Sequence, residues 1–460
     1  MVTQQEADSQ CRKNNPDFDV EGCLPLVTIS LQDEEEDSDS YSSEISQRID
    51  NESDWGAWIC VLGSLLFLMS SAGFNASVGI VQSYFGLNQL KDNSMSEIGW
   101  IPGTYMFLSM APCFLYGSLL DRYGPLVLSA VGCICSVASF VLMAESKTYW
   151  QFMLCLGILG SIGTGIKCTV AVGVVGKLFV RRRGLAIGTA VMGASLGATV
   201  FPLVLRSTFE SLGWAWSMRI VAIVVSCLTS VGFVCFLPFK RLALFIANKQ
   251  DKVEQSGPAF SLSAWKNPSF DFVSCGLSLM EFVNCGIGCL LPAMATGAGL
   301  TSQDGYTLFA IMGGCSCISR VVIGPLSDRV GGINSMVGTL VLTTASICAF
   351  LIPFRTTSAP LLYVFSAIWG LLGGSFYALS PVIVGNTCEQ KDYARFYGSI
   401  HFFAALWVLA ANPVSGIMLE KAGAKPLAFF FLGIVVLAVV SIIVARGLLL
   451  RSFTTLRARI

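Results

Sequence analysis

The chain has 460 residues, of which 54% are hydrophobic and only 13% charged, against roughly 25% charged in a soluble domain. That leaves too little charge to cover the about three soluble domains this length suggests, and excludes a soluble enzyme, a nucleic-acid binder and a disordered chain in favour of a polytopic membrane protein. The formal net charge of zero is unevenly divided: residues 1–54 hold 15 acids and 3 bases, and the remainder 14 acids and 26 bases.

In chain order, residues 1–54 come first, with Asp33, Glu34, Glu35, Glu36, Asp37 and Asp39 followed by a Ser-rich stretch. Such a segment cannot bury enough apolar area to fold alone and lacks the basic start and short apolar core of a signal peptide. It is expected to be a disordered acidic cytosolic tail. A hydrocarbon layer about 30 Å thick needs about 20 apolar residues per helix. By that rule twelve spans follow, at approximately 56–84, 96–119, 125–144, 150–175, 185–205, 216–237, 270–294, 303–325, 333–353, 361–385, 396–419 and 426–447. The longest connection, 238–269, is polar and basic and reads as a cytosolic linker. It separates an N-terminal half, 55–237, from a C-terminal half, 270–447, and residues 448–460 form a basic tail. The expected fold is an all-α membrane protein, twelve transmembrane helices in two six-helix halves.

Loop charge orients the bundle. With the N-terminus in the cytosol, and with Arg219 and Arg446 at span ends counted with the adjoining external and cytosolic segments, cytosolic segments hold 20 Lys and Arg, external loops seven, and span interiors two, Lys167 and Arg320. Basic residues favour the cytosolic side, and the C-terminal Arg446, Arg451, Arg457 and Arg459 suit contact with anionic membrane lipid. The 17 Cys fall largely within apolar runs. Pairs such as Cys133 and Cys135, or Cys315 and Cys317, read as small buried hydrophobes rather than metal ligands.

The chain also repeats itself. Gly117-Ser-Leu-Leu-Asp121-Arg122-Tyr-Gly124 follows span two, and Gly324-Pro-Leu-Ser-Asp328-Arg329-Val-Gly331 follows span eight. Both read G-x-x-x-D-R-x-G, and both leave the second span of a half, which indicates a parallel repeat around a central cavity. Gly117 and Gly324 permit close helix approach. Asp121 and Asp328 can pair with Arg or sit at a neighbouring helix N-terminus, a contact that would hold the halves shut on one side and break when they rock. The other reading is a plain membrane-edge turn with snorkelling charges. Gly193 and Gly197, and Gly157, Gly160 and Gly163, suit close helix packing.

Ionisable groups inside a span are costly and mark function. Glu281 lies about eleven residues into span seven, near the midplane at 1.5 Å per residue, with Asn284 one turn on. It suits a proton carrier or a helix-to-helix hydrogen bond. Arg320 lies in span eight, four residues before Gly324. Its guanidinium can take a carboxylate through two parallel hydrogen bonds, or snorkel to the surface. Lys167, nearer the cytosolic end of span four, can attract an anion, pair with a carboxylate, or snorkel. His401, the single His in the chain, has an unperturbed pKa near 6.5 and suits either proton relay or a plain hydrogen bond. Asn75, Gln82, Tyr377 and Asn412 are further polar candidates for a cavity wall.

The doubled motif and the twelve spans resemble the major facilitator superfamily over about residues 55–450. Asp54-Trp55-Gly56-Ala57-Trp58, Ser77 to Tyr84, and Lys177-Leu-Phe179-Val-Arg181-Arg182-Arg183-Gly184-Leu185-Ala186 are similar to the monocarboxylate-porter family, especially its fungal branch. That resemblance implies substrate-carboxylate binding by Arg320. The chain departs from the animal members, which pair an Asp with this Arg where this chain has Ser316 and carry a Lys near Ala76. Either Glu281 takes the proton role or coupling differs. The resemblance implies a secondary active transporter of an organic anion or carboxylated metabolite, with protons as a candidate co-substrate. The cargo is expected to be an exported secondary metabolite. The alternatives are uptake of a monocarboxylate or riboflavin-like vitamin, and a membrane solute sensor. No enzyme constellation and no ATP-binding G-x-x-x-x-G-K-[ST] occurs. No cofactor or metal is implied, and a monomer in the plasma membrane with both termini cytosolic is expected.

Overall fold

The computed structural model describes residues 54–239, 267–352, 359–388 and 393–450, apart from residues 76, 94, 180, 298 and 301. Nearly all of the expected acidic tail, most of the linker, and residues 451–460 lie outside the described residues. Among the described residues twelve helices are long and apolar enough to cross a membrane. In chain order they are α1 (Trp55–Asn75), α2 (Glu97–Tyr123), α3 (Pro125–Glu145), α4 (Tyr149–Leu178), α5 (Arg183–Phe209), α6 (Ser211–Phe239), α7 (Pro268–Ile287), α8 (Thr307–Val330), α9 (Gly332–Leu351), α10 (Ala359–Val384), α11 (Tyr393–Leu419) and α12 (Lys425–Leu450). Many large apolar side chains point outward, among them Ile134, Leu203, Ile223, Val322 and Leu437. In water such a surface would aggregate; in lipid it is the expected coat. Trp55, Trp100, Trp150 and Trp216 are exposed near helix ends, where amphipathic rings favour the headgroup region.

Local chemistry sets the helix ends. The Asp54 side chain accepts from the Gly56 backbone N–H at 3.0 Å and caps α1. Thr148 and Gln151 form a reciprocal capping box at the start of α4. The last glycine of each repeated motif, Gly124 and Gly331, adopts φ of 75° and 102°, a left-handed backbone that favours glycine. Each ends one helix and begins the next without an intervening loop, so α2–α3 and α8–α9 are tight hairpins.

The first span differs from the continuous 56–84 expected. Helix runs from Trp55 to Ser70, breaks at Ser71 (φ −114°, ψ −83°), resumes over Ala72–Asn75, and gives way to a separate helix, Val78–Leu87. The Ser70 and Ser71 hydroxyls both donate to the Phe67 carbonyl, at 3.0 and 2.6 Å, and compete with the backbone ladder there. Apolar periodicity does not register such a break.

Glycines bring the two halves together at the end of the bundle that carries the repeated motif. A Cβ on Gly324 would strike the Gly184 carbonyl oxygen, and one on Gly188 would strike that of Arg320, so α8 and α5 meet backbone to backbone. A Cβ on Gly117 would strike the Ala394 carbonyl oxygen and one on Gly398 that of Cys113, so α2 and α11 do the same. Further along, Ser195 and Ser316 hydroxyls lie 3.1 Å apart across the halves, and the Phe114 and Phe402 rings meet edge-on at 5.3 Å. The motif end is closed.

Candidate functional site

Three turns of helix in the C-terminal half converge on one polar cluster. Glu281 and Asn284 sit three residues apart on α7, hence on one face. Tyr377 of α10 donates its hydroxyl proton to Glu281 Oε1 at 3.0 Å. The Arg320 guanidinium of α8 lies over the other aspect of that tyrosine, 5.4 Å from the ring centroid. Tyr377 therefore joins an acid and a base that come from different helices. Arg320 is 7% exposed, and its Nη1 donates to the Val191 carbonyl of α5 at 2.5 Å. Among the described residues its Nε has no hydrogen-bond partner, nor has the Asn284 amide nitrogen. A buried cationic donor left without an acceptor is costly, and an anion would satisfy it.

Glu281 and Tyr377 line a cavity with Leu277, Tyr397 and His401, and Met110 of the N-terminal half contributes to its wall. Its volume is about 60 Å³, room for a few waters, whereas ligand pockets run to roughly 300 Å³ or more. The halves must move apart before a metabolite can enter. His401 Nδ1 lies 3.0 Å from the Tyr397 carbonyl, and its ring sits 4.2 Å from that of Tyr397. The fold thus brings Glu281, Arg320, Asn284 and His401 into one region.

Lys167 is placed elsewhere. It is fully buried, and its Nζ donates to the Ser70 carbonyl and hydroxyl, both at 3.2 Å. It occupies the break in α1, where a carbonyl has left the helical ladder. It neither snorkels nor lines the cavity. One turn earlier on α4, Thr164 lies 3.0 Å from the Tyr105 hydroxyl, which donates to Asn75 at 2.8 Å. Gln82 is partly buried, and the Asn412 side chain lies outside what is described.

At the motif end Asp328 Oδ1 and Oδ2 accept from the backbone N–H groups of Gly184 and Leu185, at 2.7 and 3.0 Å. A carboxylate of the C-terminal half thus caps the first turn of α5, where helix N–H groups have no partner of their own. Its counterpart Asp121 instead pairs with Lys177 Nζ at 2.6 Å, within the N-terminal half. Arg122 is exposed over the Tyr123 ring, 5.5 Å from its centroid, and Arg329 is exposed in the last turn of α8.

Twelve spans in two halves, closed at one end by a duplicated motif, define a recognisable architecture. Residues 60–409, and again 273–457, match the Major Facilitator Superfamily. The chain belongs to that superfamily. It is a multi-pass membrane transporter of the superfamily's fold. The riboflavin transporter MCH5 of Saccharomyces cerevisiae is 29% identical over 414 residues, 85% of this chain and 77% of that protein. The agnestins efflux protein AgnL12 of Paecilomyces divaricatus is 27% identical over 401 residues, 86% of this chain and 90% of that one. Among solved structures, the human organic anion transporter MFSD10 superposes with a TM-score of 0.63 at 15% identity, over 84% of this chain and 98% of that one. FucP in its outward conformation gives 0.62 at 16%, over 85% and 99%. These two show the shared fold.

Tyr377 links Glu281 to Arg320, although in the sequence it is no more than a polar tip in an otherwise apolar helix. Tyr397 carries the same signal but contributes its ring, and Val191 carries none, because it contributes a backbone carbonyl.

Proposed function

We propose that the protein is a secondary active transporter of an organic anion, working by alternating access, and that Arg320 holds the anionic group. The supporting observation is the buried Arg320 guanidinium, one donor tied to the opposite half through Val191 and its Nε without an acceptor. Through Tyr377 it stands beside a cavity lined by Glu281 and His401. Glu281 is the proton carrier: it is the acidic side chain lining that cavity, and its Tyr377 hydrogen bond can accompany either protonation state, since a carboxyl both accepts and donates. The monocarboxylate-porter branch, with Ser316 in place of an acid, is the reading that joins these features. The motif end faces the cytosol, because the more basic loops lie there, and the membrane is the plasma membrane.

Export of a carboxylated secondary metabolite is favoured by the similarity to fungal efflux proteins such as the agnestins exporter. Uptake of a vitamin is the second reading, favoured by the similarity to a riboflavin transporter. The test is untargeted mass spectrometry of cells and medium with the protein overproduced, compared with Arg320→Gln at equal membrane abundance. An acid that builds up in the medium with the unaltered protein alone supports anion export, and its depletion from the medium supports uptake. A solute without an acidic group, moved equally by both forms, overturns the assignment of Arg320.

A further inference from the structure

We propose that Arg183 and Tyr393 are positioning residues of the transport cycle: they form a reciprocal interlock that holds the motif end shut, separate from the repeated motif. Each half supplies one bulky side chain and one glycine socket. Arg183 opens α5 in the N-terminal half. It is 8% exposed, and its Nε and Nη2 donate to the Phe179 and Gly176 carbonyls at 3.1 and 3.2 Å. Those bonds fix the guanidinium plane and aim Nη1 at the end of α10 in the other half. A Cβ built on Gly385 would clash with that Nη1 and lie 2.7 Å from Cζ. Gly385 follows the last residue of α10, where the carbonyl ends of the helix favour a cation.

The mirror arrangement uses Tyr393, which opens α11 in the C-terminal half and is fully buried. Its ring fills the space that a Cβ on Gly176, near the end of α4, would need; that Cβ would lie 2.6 Å from ring atoms Cδ1 and Cζ. Its hydroxyl donates to the Pro381 carbonyl at 2.9 Å, which fixes the ring against its own half. The two knobs also meet: the Arg183 guanidinium lies 5.4 Å from the Tyr393 ring centroid, within cation–π range. The halves repeat this device as they repeat the motif, a glycine at the end of the fourth span of a half preceding the knob that opens its fifth span. Each knob enters the socket of the other half.

The interlock bears on the cavity through α11. Tyr393, Tyr397 and His401 follow one another at four-residue spacing on one face of that helix. The first two rings stack at 6.1 Å, and the second and third lie 4.2 Å apart. Tyr397 and His401 line the cavity with Glu281. Withdrawing Tyr393 from the Gly176 socket therefore moves the same helix face that walls the cavity.

The test is hydrogen–deuterium exchange on the purified full-length protein in lipid nanodiscs, which needs no knowledge of the cargo. It compares the unaltered protein with Gly385→Ala, Arg183→Ala and the double variant. Gly385→Ala wedges the socket, and exchange should rise roughly threefold or more in residues 181–191 and 393–400 together, one segment in each half. The double variant has no knob to collide, so its exchange should match Arg183→Ala alone rather than add to it. Exchange that rises only around residue 385, or effects of the two changes that simply add, would overturn the interlock. Should Gly385→Ala not fold, Tyr393→Leu supplies the same reading: it empties the Gly176 socket, and unchanged exchange in residues 181–191 would be decisive against the proposal. Loss of anion transport in Arg320→Gln with normal exchange in these variants would separate the site reading from this one.

Discussion

Asp328 offers the most direct handle on the closed end. Its carboxylate takes two backbone N–H groups at the start of α5, at 2.7 and 3.0 Å, so Asp328→Ala removes both acceptors and the charge facing the helix N-terminus. Loss of a capping side chain costs about 0.5–2 kcal/mol, and an anion at a helix N-terminus adds about 0.3–1 kcal/mol. Asp328 is solvent-exposed, which screens the charge contribution, so a total of about 2 kcal/mol is reasonable. This contact joins the halves, so the loss falls on the closed state alone. The ratio of closed to open motif end should drop about thirtyfold. Asp328→Asn keeps one acceptor and discards the charge, and should give about 1 kcal/mol, about a fivefold drop. Exchange of the amide protons in residues 183–188 measures both. Added salt should weaken the native preference and leave Asp328→Ala insensitive. Equal exchange in all three proteins, or loss of global stability in place of a local opening, would refute the reasoning.

Glu281→Gln should abolish accumulation driven by a pH gradient and spare counterflow exchange of the same solute; unchanged pH-driven flux in vesicles would remove Glu281 from proton coupling. Tyr377→Phe deletes the donor to Glu281 and should cost about 1–3 kcal/mol of stability, visible as a lower thermal unfolding midpoint together with reduced maximal flux. Lys167→Met should cost a similar 1–3 kcal/mol or so by leaving the Ser70 carbonyl unmet, with the substrate concentration for half-maximal flux unaltered. A large rise in that concentration at unchanged unfolding temperature would make Lys167 a ligand instead.

The spans were legible because lipid selects on segment-averaged hydropathy, which the sequence displays directly. The repeated glycines and aspartates were legible because a duplicated pattern is visible without coordinates. Glu281, Asn284, Arg320 and His401 stood out as polar groups in apolar helices; the fold sets Glu281 and His401 on the wall of one cavity, with Arg320 against Tyr377 beside it and Asn284 one turn along α7. Lys167 stood out equally but serves the break in α1, whose cause is a pair of serine hydroxyls turned back on Phe67. Nothing in hydrophobic periodicity distinguishes a serine that bonds its own helix from one that faces a neighbour. Arg183 was hidden for a different reason. The run from Lys177 to Arg183 presents four bases with nothing in the sequence to tell Arg183 from the rest, whereas Arg181 and Arg182 are exposed and Arg183 is buried against the other half. Its role depends on Gly385, some 200 residues away in the chain.

The left-handed turns at Gly124 and Gly331 bear on how the bundle can move. With a single residue between Tyr123 and Pro125, and between Val330 and Gly332, the joined ends of α2 and α3, and of α8 and α9, cannot separate without unwinding a helical turn. Whatever displaces one helix of a pair therefore drags its partner, and each hairpin behaves as a single lever arm.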